Sequence, residues 1–346
     1  MKYEDAGVSI ARGERAIERI RRHVESTFTP WVVGEFGHFA GLCRLPGAGP
    51  GAPLLVASID GVGTKVLLAR ERKAYATVAG DIVRHGANDC LVLGARPLFF
   101  LDYVAWGRLE EDAMEEIVRG MAEACREEGV ALLGGETAEM PGVYQDGDFD
   151  IAGCMVGFVR EEEVIDGSRI RVGDVVLALP STGLHTNGYS LARKVLLESA
   201  GALDQEVPGS GRSLGDLLLL PHRSYVKAVR PLVERGAVTG LAHVTGGGIS
   251  GNLVRILPEG AVARLDLGSW ERPAIFRAIQ ERGNVPEEDM LRTFNLGVGF
   301  VIVTRPDQVQ GVRDELEGQG EACWKLGEIV SGTRGVTWTG VASPRG

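Results

Sequence analysis

Leu54-Leu55-Val56-Ala57-Ser58-Ile59-Asp60-Gly61-Val62-Gly63-Thr64-Lys65 runs from a short apolar strand over 54–59 straight into an acid, two glycines and a lysine. Groups at the end of a strand stand at the edge of a sheet. The junction therefore gathers a carboxylate, a permissive backbone and an ammonium. Glycines let backbone N–H groups approach an anion, Lys65 can pair with a phosphate, and Asp60 can hold a divalent metal. The G-x-x-x-x-G-K-[ST] order of a P-loop is absent, because Thr64 precedes the lysine. On these six residues alone, a hairpin turn with solvated charges is an equal reading.

Working outward, Ile17, Ile20 and Val24 recur at helical spacing and predict an amphipathic helix over 13–26, followed by a Pro/Gly loop at 46–53. Beyond the junction a helix is expected over 76–93, stopped by Gly94 with Pro97 after it. A strand at 98–106, a helix at 110–128 ended by Gly129, a strand at 130–133 reaching Gly134-Gly135-Glu136, and a strand at 151–159 complete this half. The order strand, helix, strand, strand-like return, helix, strand predicts an α+β fold with a ferredoxin-like split βαβ sheet, not a doubly wound one. The charged, glycine-punctuated stretch 161–174 separates a first domain, 1–167, from a second, mixed α+β domain, 168–346. Strands are expected there at 174–179, 262–267 and 299–303, and helices at 187–199, 224–235, 273–280 and 306–319.

The 346 residues suit two domains, and 44% hydrophobic residues with 24% charged ones is ordinary globular composition. Glycine, at 49 residues, is about twice its usual share and has no collagen-like period. A net charge of -10 argues against binding nucleic acid, which needs Lys and Arg to displace counterions. That charge is uneven, with 17 Lys and Arg against 28 Asp and Glu in residues 1–167 and 20 against 19 afterwards. Five scattered cysteines without a C-x-x-C indicate neither a disulfide framework nor a zinc site and fit a reducing cytoplasm. No signal-like or membrane-length apolar run is present, so no membrane partner is expected.

Four further stretches can carry chemistry. Asp81, His85, Asn88 and Asp89 share one helix face, as a metal site or a solvated surface would. In GGETAEMPG, 134–142, Glu136 can complete an oxygen-ligand set with Asp60 and Asp89; a plain turn is the alternative. STGLHTNGYS, 181–190, offers Ser181, Thr182, His185, Thr186 and Asn187 to a polar substrate or simply to a helix cap. TGGGISGN, 245–252, fits the dinucleotide pattern through Gly246, Gly248 and Gly251, with Asp266 twenty residues beyond the first glycine. The short helix expected at 249–256, cut by Pro258, and the lack of a second mononucleotide half weaken that pattern. A phosphate loop survives. Two glycine loops and an acidic cluster favour ATP-dependent chemistry on a phosphorylated small molecule; an NAD-dependent oxidoreductase using Gly246–Gly251 and a non-catalytic nucleotide sensor are the competing readings.

The motifs resemble those of the phosphoribosylformylglycinamidine cyclo-ligases (aminoimidazole ribonucleotide synthetases) over nearly the whole chain. The resemblance rests on YEDAGV at 3–8, DGVGTK at 60–65, AND with LGARPLFFLDY within 87–103, GGETAEMPGVY at 134–144, GLHTNGYSLARK at 183–194, TGGG at 245–248 and RTFNLGVG at 292–299. It implies that ATP and formylglycinamidine ribonucleotide give aminoimidazole ribonucleotide, ADP and phosphate, through phosphorylation of the formyl oxygen and then ring closure. It further implies Mg²⁺ as cofactor and a homodimer whose N-terminal sheets meet in a barrel. By the same resemblance Lys65 and Asp89 are catalytic, and Asp60, Gly61, Gly63, Thr64, Lys65 and Asn88 bind ATP. Asp60, Asp81, Asp89 and Glu136 are the candidate metal acids. His185, Asn187, Thr245, Gly246, Gly247 and Gly248 face the substrate and its ribose phosphate. Two stretches depart from the family pattern: GDIVRHGAND at 80–89, where many members have Ala-Met-Cys, and VGEFGHFAGL at 33–42. The resemblance assigns no role to Arg84, His85, Glu35 or His38.

Overall fold

The computed structural model describes residues 3–49 and 51–340, which divide between Val164 and Ile165 into two units. The first contains α1 (Ile10–Glu25), β1 (Val32–Val33), β2 (Gly41–Cys43), β3 (Leu54–Gly61), α2 (Lys65–Arg72), α3 (Tyr75–Val92), β4 (Arg96–Trp106), α4 (Glu111–Glu128), β5 (Ala131–Glu139) and β6 (Phe149–Val159). The sheet order is β1-β2-β3-β6-β4-β5, antiparallel except for the β4–β5 pair. Because β6 lies between β3 and β4, the connection from β3 through α2 and α3 to β4 is a split βαβ unit. The expected return strand is not found: β4 is one uninterrupted strand that leads through α4 into β5.

In β3 the side chains alternate. Leu54, Val56 and Ser58 are buried, whereas Ala57 and Ile59 are exposed, the period of a strand with one covered face. The cover comes from α3, which is buried along most of its length and packs against both β6 and α4. Two glycines permit this approach. A Cβ on Gly86 would lie 2.7 Å from Met155 Cβ, and one on Gly120 of α4 would lie 2.1 Å from the Ala76 carbonyl oxygen. The strand β5 also runs through Gly134-Gly135-Glu136, past the expected end at 133. Parallel pairing with β4 overrides the weak strand propensity of glycine, and Gly135 is required because a Cβ there would strike the Asp102 carboxylate.

The second unit contains β7 (Val175–Pro180), α5 (Tyr189–Leu196), a small hairpin of β8 (Glu206–Val207) and β9 (Arg212–Ser213), α6 (Leu214–Leu218), α7 (Val226–Glu234), β10 (Gly240–His243), α8 (Gly248–Leu253), β11 (Ala261–Asp266), α9 (Ala274–Gly283), α10 (Glu287–Thr293), β12 (Val298–Thr304), α11 (Val309–Gly318), β13 (Trp324–Ser331) and β14 (Gly335–Thr339). Its sheet runs β10-β12-β7-β13-β11-β14, with only β11 and β14 parallel. Every residue of β12 is buried, which explains its unbroken apolar sequence. Both units are therefore α+β.

The α3–α4 approach yields a test. Gly120→Ala forces a methyl group onto the Ala76 backbone and is expected to cost about 1–3 kcal/mol by chemical denaturation. Gly13→Ala on the open side of α1, where a Cβ meets nothing within 4 Å, should be neutral or stabilising. Equal midpoints for the two variants would refute the close approach.

Candidate active site

In the first unit, the end of β3 and one face of α3 bring Asp60, His85 and Asp89 together. His85 Nε2 lies 3.6 Å from Asp60 Oδ1 and 3.5 Å from Asp89 Oδ2, with His85 and Asp89 one helical turn apart. The Ser58 hydroxyl stands 3.1 Å from Asp60 Oδ2, 3.4 Å from Asp89 Oδ2 and 3.2 Å from the Phe39 carbonyl. Asp89 and His85 are buried, while about a third of the Asp60 side chain is exposed, so the cluster opens at Asp60. Burial raises the Asp60 pKa, the His85 cation opposes the rise, and Asp89 adds to it. Burial alone would lower the His85 pKa, but Asp60 and then Asp89 outweigh it and push the group up to about 9. A carboxylate pair with hydroxyl support is a hard oxygen donor set and suits Mg²⁺.

Two expected metal acids are not in this cluster. Asp81 instead receives Lys65 Nζ at 2.6 Å, and neither side chain has any exposure. Strand register removes Glu136: Asp60 pairs with Gly153, Gly153 with Asp102, and Asp102 with Gly135, so Glu136 stands three strands away, about 14 Å at the usual spacing. Lys65 opens α2, and its ammonium pairs with the Asp81 carboxylate. Between β3 and α2, Val62 N–H donates to the Ile151 carbonyl at 3.0 Å and Gly63 takes φ +72°, a turn that needs glycine. Thr64 precedes α2 without a side-chain cap, and Asn88 is fully buried. Of the residues left without a role, Arg84 binds Glu127 of α4 at 2.6 Å, whereas His85 occupies the centre of the cluster.

In the second unit, the loop after β7 and the glycine loop before α8 come together. Gly246 lies beside Asn187, whose Oδ1 would be 3.2 Å from a Cβ placed there. His185, 1% exposed, takes φ +61°, a left-handed conformation that a non-glycine residue adopts at a cost. The glycine loop has Gly247 at φ +95° and Gly248 at φ +66°, and a Cβ on Gly248 would collide with the Leu291 carbonyl. Sequence reading missed Asn252. Its Nδ2 donates to the carbonyls of Thr245 at 3.2 Å, Gly246 at 3.2 Å and Gly248 at 2.8 Å, and Thr245 Oγ1 donates to its Oδ1. The carbonyls are thereby held inward and the loop is fixed. Asn295 was likewise missed; it receives Ser181 Oγ and Gly297 N–H and donates to the Gly183 carbonyl.

Two domain families match this chain: "AIR synthase related protein, N-terminal domain" over residues 40–159 and its C-terminal counterpart over 171–339. Solved structures share the architecture. Thiamine-monophosphate kinase from Stenotrophomonas maltophilia K279a superposes with a TM-score of 0.61 at 20% identity, covering 94% of this chain and 96% of its own. A hydrogenase maturation protein HypE in complex with ATP superposes at 0.61 with 21% identity, covering 95% and 91%. At such identities the likeness is one of fold alone; the two family models are what define a two-domain protein of the AIR synthase class.

Closer relatives narrow the class. Phosphoribosylformylglycinamidine cyclo-ligases from Sorangium cellulosum and Carboxydothermus hydrogenoformans are 48% and 47% identical, covering 95% and 97% of this chain and 95% and 98% of their own. This chain belongs to the phosphoribosylformylglycinamidine cyclo-ligase family and is a ligase. The oxidoreductase reading finds no support, and α8, with six residues, is too short for a dinucleotide-binding crossover helix. No helix among the described residues is long and apolar enough to cross a membrane.

The raised His85 pKa carries a sign. A folded-state pKa near 9 against an ordinary 6.5 makes protonation stabilising: the contribution is complete below about pH 6.5 and is lost as pH rises through 9. It amounts to no more than roughly 3 kcal/mol at 1.4 kcal/mol per unit. The expected result is an imidazole NMR titration of His85 with its midpoint above pH 8. A midpoint below 6.5 would contradict the arrangement.

Proposed function

We propose that the chain uses ATP to cyclise formylglycinamidine ribonucleotide to aminoimidazole ribonucleotide, releasing ADP and phosphate, a step of de novo purine biosynthesis. The observation that carries this reading is near-full-length identity of 45–48% to cyclo-ligases, in a chain that keeps two oxygen donors, Asp60 and Asp89, at the mouth of the split βαβ unit. A Mg²⁺ ion there would neutralise charge on the transferring phosphoryl group. Asp60 and Asp89 hold the metal–nucleotide, Ser58 orients both carboxylates, and the backbone of Gly61, Gly63 and Thr64 lines the phosphates. Asn88, buried on α3 one residue before Asp89, is the remaining member of the nucleotide site. Lys65, locked to Asp81, fixes the turn that presents this backbone. His185, Asn187 and Thr245 contact the substrate, and Gly246, Gly247 and Gly248 receive its ribose phosphate through backbone N–H groups. Phosphorylation of the formyl oxygen turns a poor leaving group into phosphate, and the ribose-bearing nitrogen then closes the ring.

We also propose that the functional form, acting in the cytoplasm, is a homodimer formed through the N-terminal sheet, as in a shared barrel. Ile59, Cys154 and Leu101 form one cross-strand row on the face opposite the helices, with Ile59 at 73% and Leu101 at 38% exposure. Tyr103 adds to this apolar surface, and a second copy would remove it from water.

Purified protein supplied with ATP, Mg²⁺ and formylglycinamidine ribonucleotide is expected to form aminoimidazole ribonucleotide, with Asp89→Asn lowering kcat/KM by about 100-fold or more while leaving the fold intact. Absence of product from a folded sample would overturn the reading. Sedimentation equilibrium should give a dimer for the parent and a monomer for Ile59→Asp; a monomeric parent at micromolar concentration would defeat the assembly proposal.

A further inference from the structure

Two buried residues of the second unit hold a backbone conformation that their side chains disfavour. His185, in the loop after β7, takes φ +61° at 1% exposure, and Leu296, just before β12, takes φ +53° at 0% exposure. A left-handed backbone is ordinary for glycine and tolerable for asparagine, but in other residues it drives the Cβ toward the carbonyl oxygen. Such conformations persist only where the surroundings dictate them, and they gather where ligands are held. Here the two lie in loops joined by one side chain, Asn295. We propose that Asn295 is a positioning residue, which moulds the loop 181–188 into the shape that presents His185 and Asn187 to the substrate. This role rests on the substrate-binding reading of that loop given above.

Asn295 is buried, and both ends of its amide are used. Its Oδ1 accepts from Ser181 Oγ at 3.0 Å and from the Gly297 N–H at 2.9 Å, while its Nδ2 donates to the Gly183 carbonyl at 2.8 Å. Two of these bonds reach 114 and 112 residues back along the chain, so they tie one loop to another. The oxygen's two lone pairs are filled and a donor is spent on a main-chain carbonyl, which needs an amide. Aspartate has the same shape but would turn a charged oxygen toward the Gly183 carbonyl. The Ser181 N–H also donates to the Gly297 carbonyl at 2.9 Å, and the Leu296 carbonyl receives Trp270 Nε1–H at 2.8 Å. Within the moulded loop, the Thr182 N–H donates to His185 Nε2 at 3.3 Å. The His222 ring stacks on His185 with centroids 4.1 Å apart, and its own Nε2 meets His243 Nε2 at 2.9 Å. Glycine at 299 leaves room for the His185 ring, because a Cβ there would lie 2.8 Å from His185 Cε1 and would strike the Tyr225 hydroxyl. A Cβ on Gly188 would likewise strike the Phe294 ring. The stretch 294–299 is thus the template against which the substrate loop is shaped. The nucleotide residues proposed above all belong to the first unit, so losing the Asn295 bonds should spare ATP.

The test compares the full chain with its Asn295→Asp variant. KM for formylglycinamidine ribonucleotide should rise at least about tenfold, the scale of a buried hydrogen bond left unmade, while KM for ATP stays within about twofold. Without any ligand, the Thr182 amide should exchange its hydrogen at least about tenfold faster, with the amides of β13 unchanged. In an Asn187→Ala background, most of the effect of Asn295→Asp on substrate KM should vanish, because both residues act through one loop. Should Asn295→Asp fail to fold, Ser181→Ala removes one bond of the same set and should move substrate KM and Thr182 exchange in the same directions. An unchanged substrate KM, equal rises for substrate and ATP, or full additivity with Asn187→Ala would each overturn the role. A folded parent that forms no product would defeat the ligase reading instead; the Thr182 exchange rate then decides alone, and no change in it would overturn the role of Asn295.

Discussion

The Lys65–Asp81 ion pair is the constraint on which the first unit rests. Neither partner reaches water, so removing one would strand a buried charge, a loss of about 3–5 kcal/mol. The pair ties the first residue of α2 to α3. It thereby fixes the turn at Gly61–Thr64 and brings β3 to its end where His85 and Asp89 are waiting. The split βαβ connection has a rigid corner as a result. Asp89, the buried carboxylate of the cluster, stands on a helix that is itself immobilised between sheet and α4, while Asp60 opens toward solvent from the end of β3.

Glycine serves that constraint in two physically different ways. At Gly63, Gly247 and Gly248 it supplies positive φ, which shapes the loops facing the ligands. At Gly86, Gly120, Gly135 and Gly299 it supplies absence, because a single methyl group would overlap a neighbouring backbone or side chain. The high glycine content is thus as much a packing device as a phosphate-binding one. The acidity of the first half has a similar double origin. Part of it solvates α4, and part is compressed into a cluster where His85 offsets two carboxylates.

Much of this was readable from the chain. The strand at 54–59 and the helix at 76–93 were legible because one is a short apolar run leading into a turn and the other carries its stop signals, Gly94 and Pro97. Asp60 and Asp89 were legible because the DGVGTK and AND motifs mark them. Three things were not. The far half of β5, beyond 133, was hidden because its Gly134-Gly135 pair looks like a turn until parallel pairing with β4 is known. The partner of Lys65 was hidden because the match lies sixteen residues away on another helix, and local spacing cannot say which of four acids is taken. Asn252 lay at i+4 from Gly248, a helical spacing that could have suggested its bond to the glycine loop, whereas nothing near His222 signals its encounter with His243, which tertiary folding alone creates.

The alternation in β3 has a practical consequence for redesign. Its even-numbered residues, Leu54, Val56, Ser58 and Asp60, point toward α3 and the carboxylate cluster, while Ala57 and Ile59 point the other way. One strand thus holds two independent mutational channels. Parity alone tells an engineer which positions retune the chemistry and which change only what the outer surface recognises.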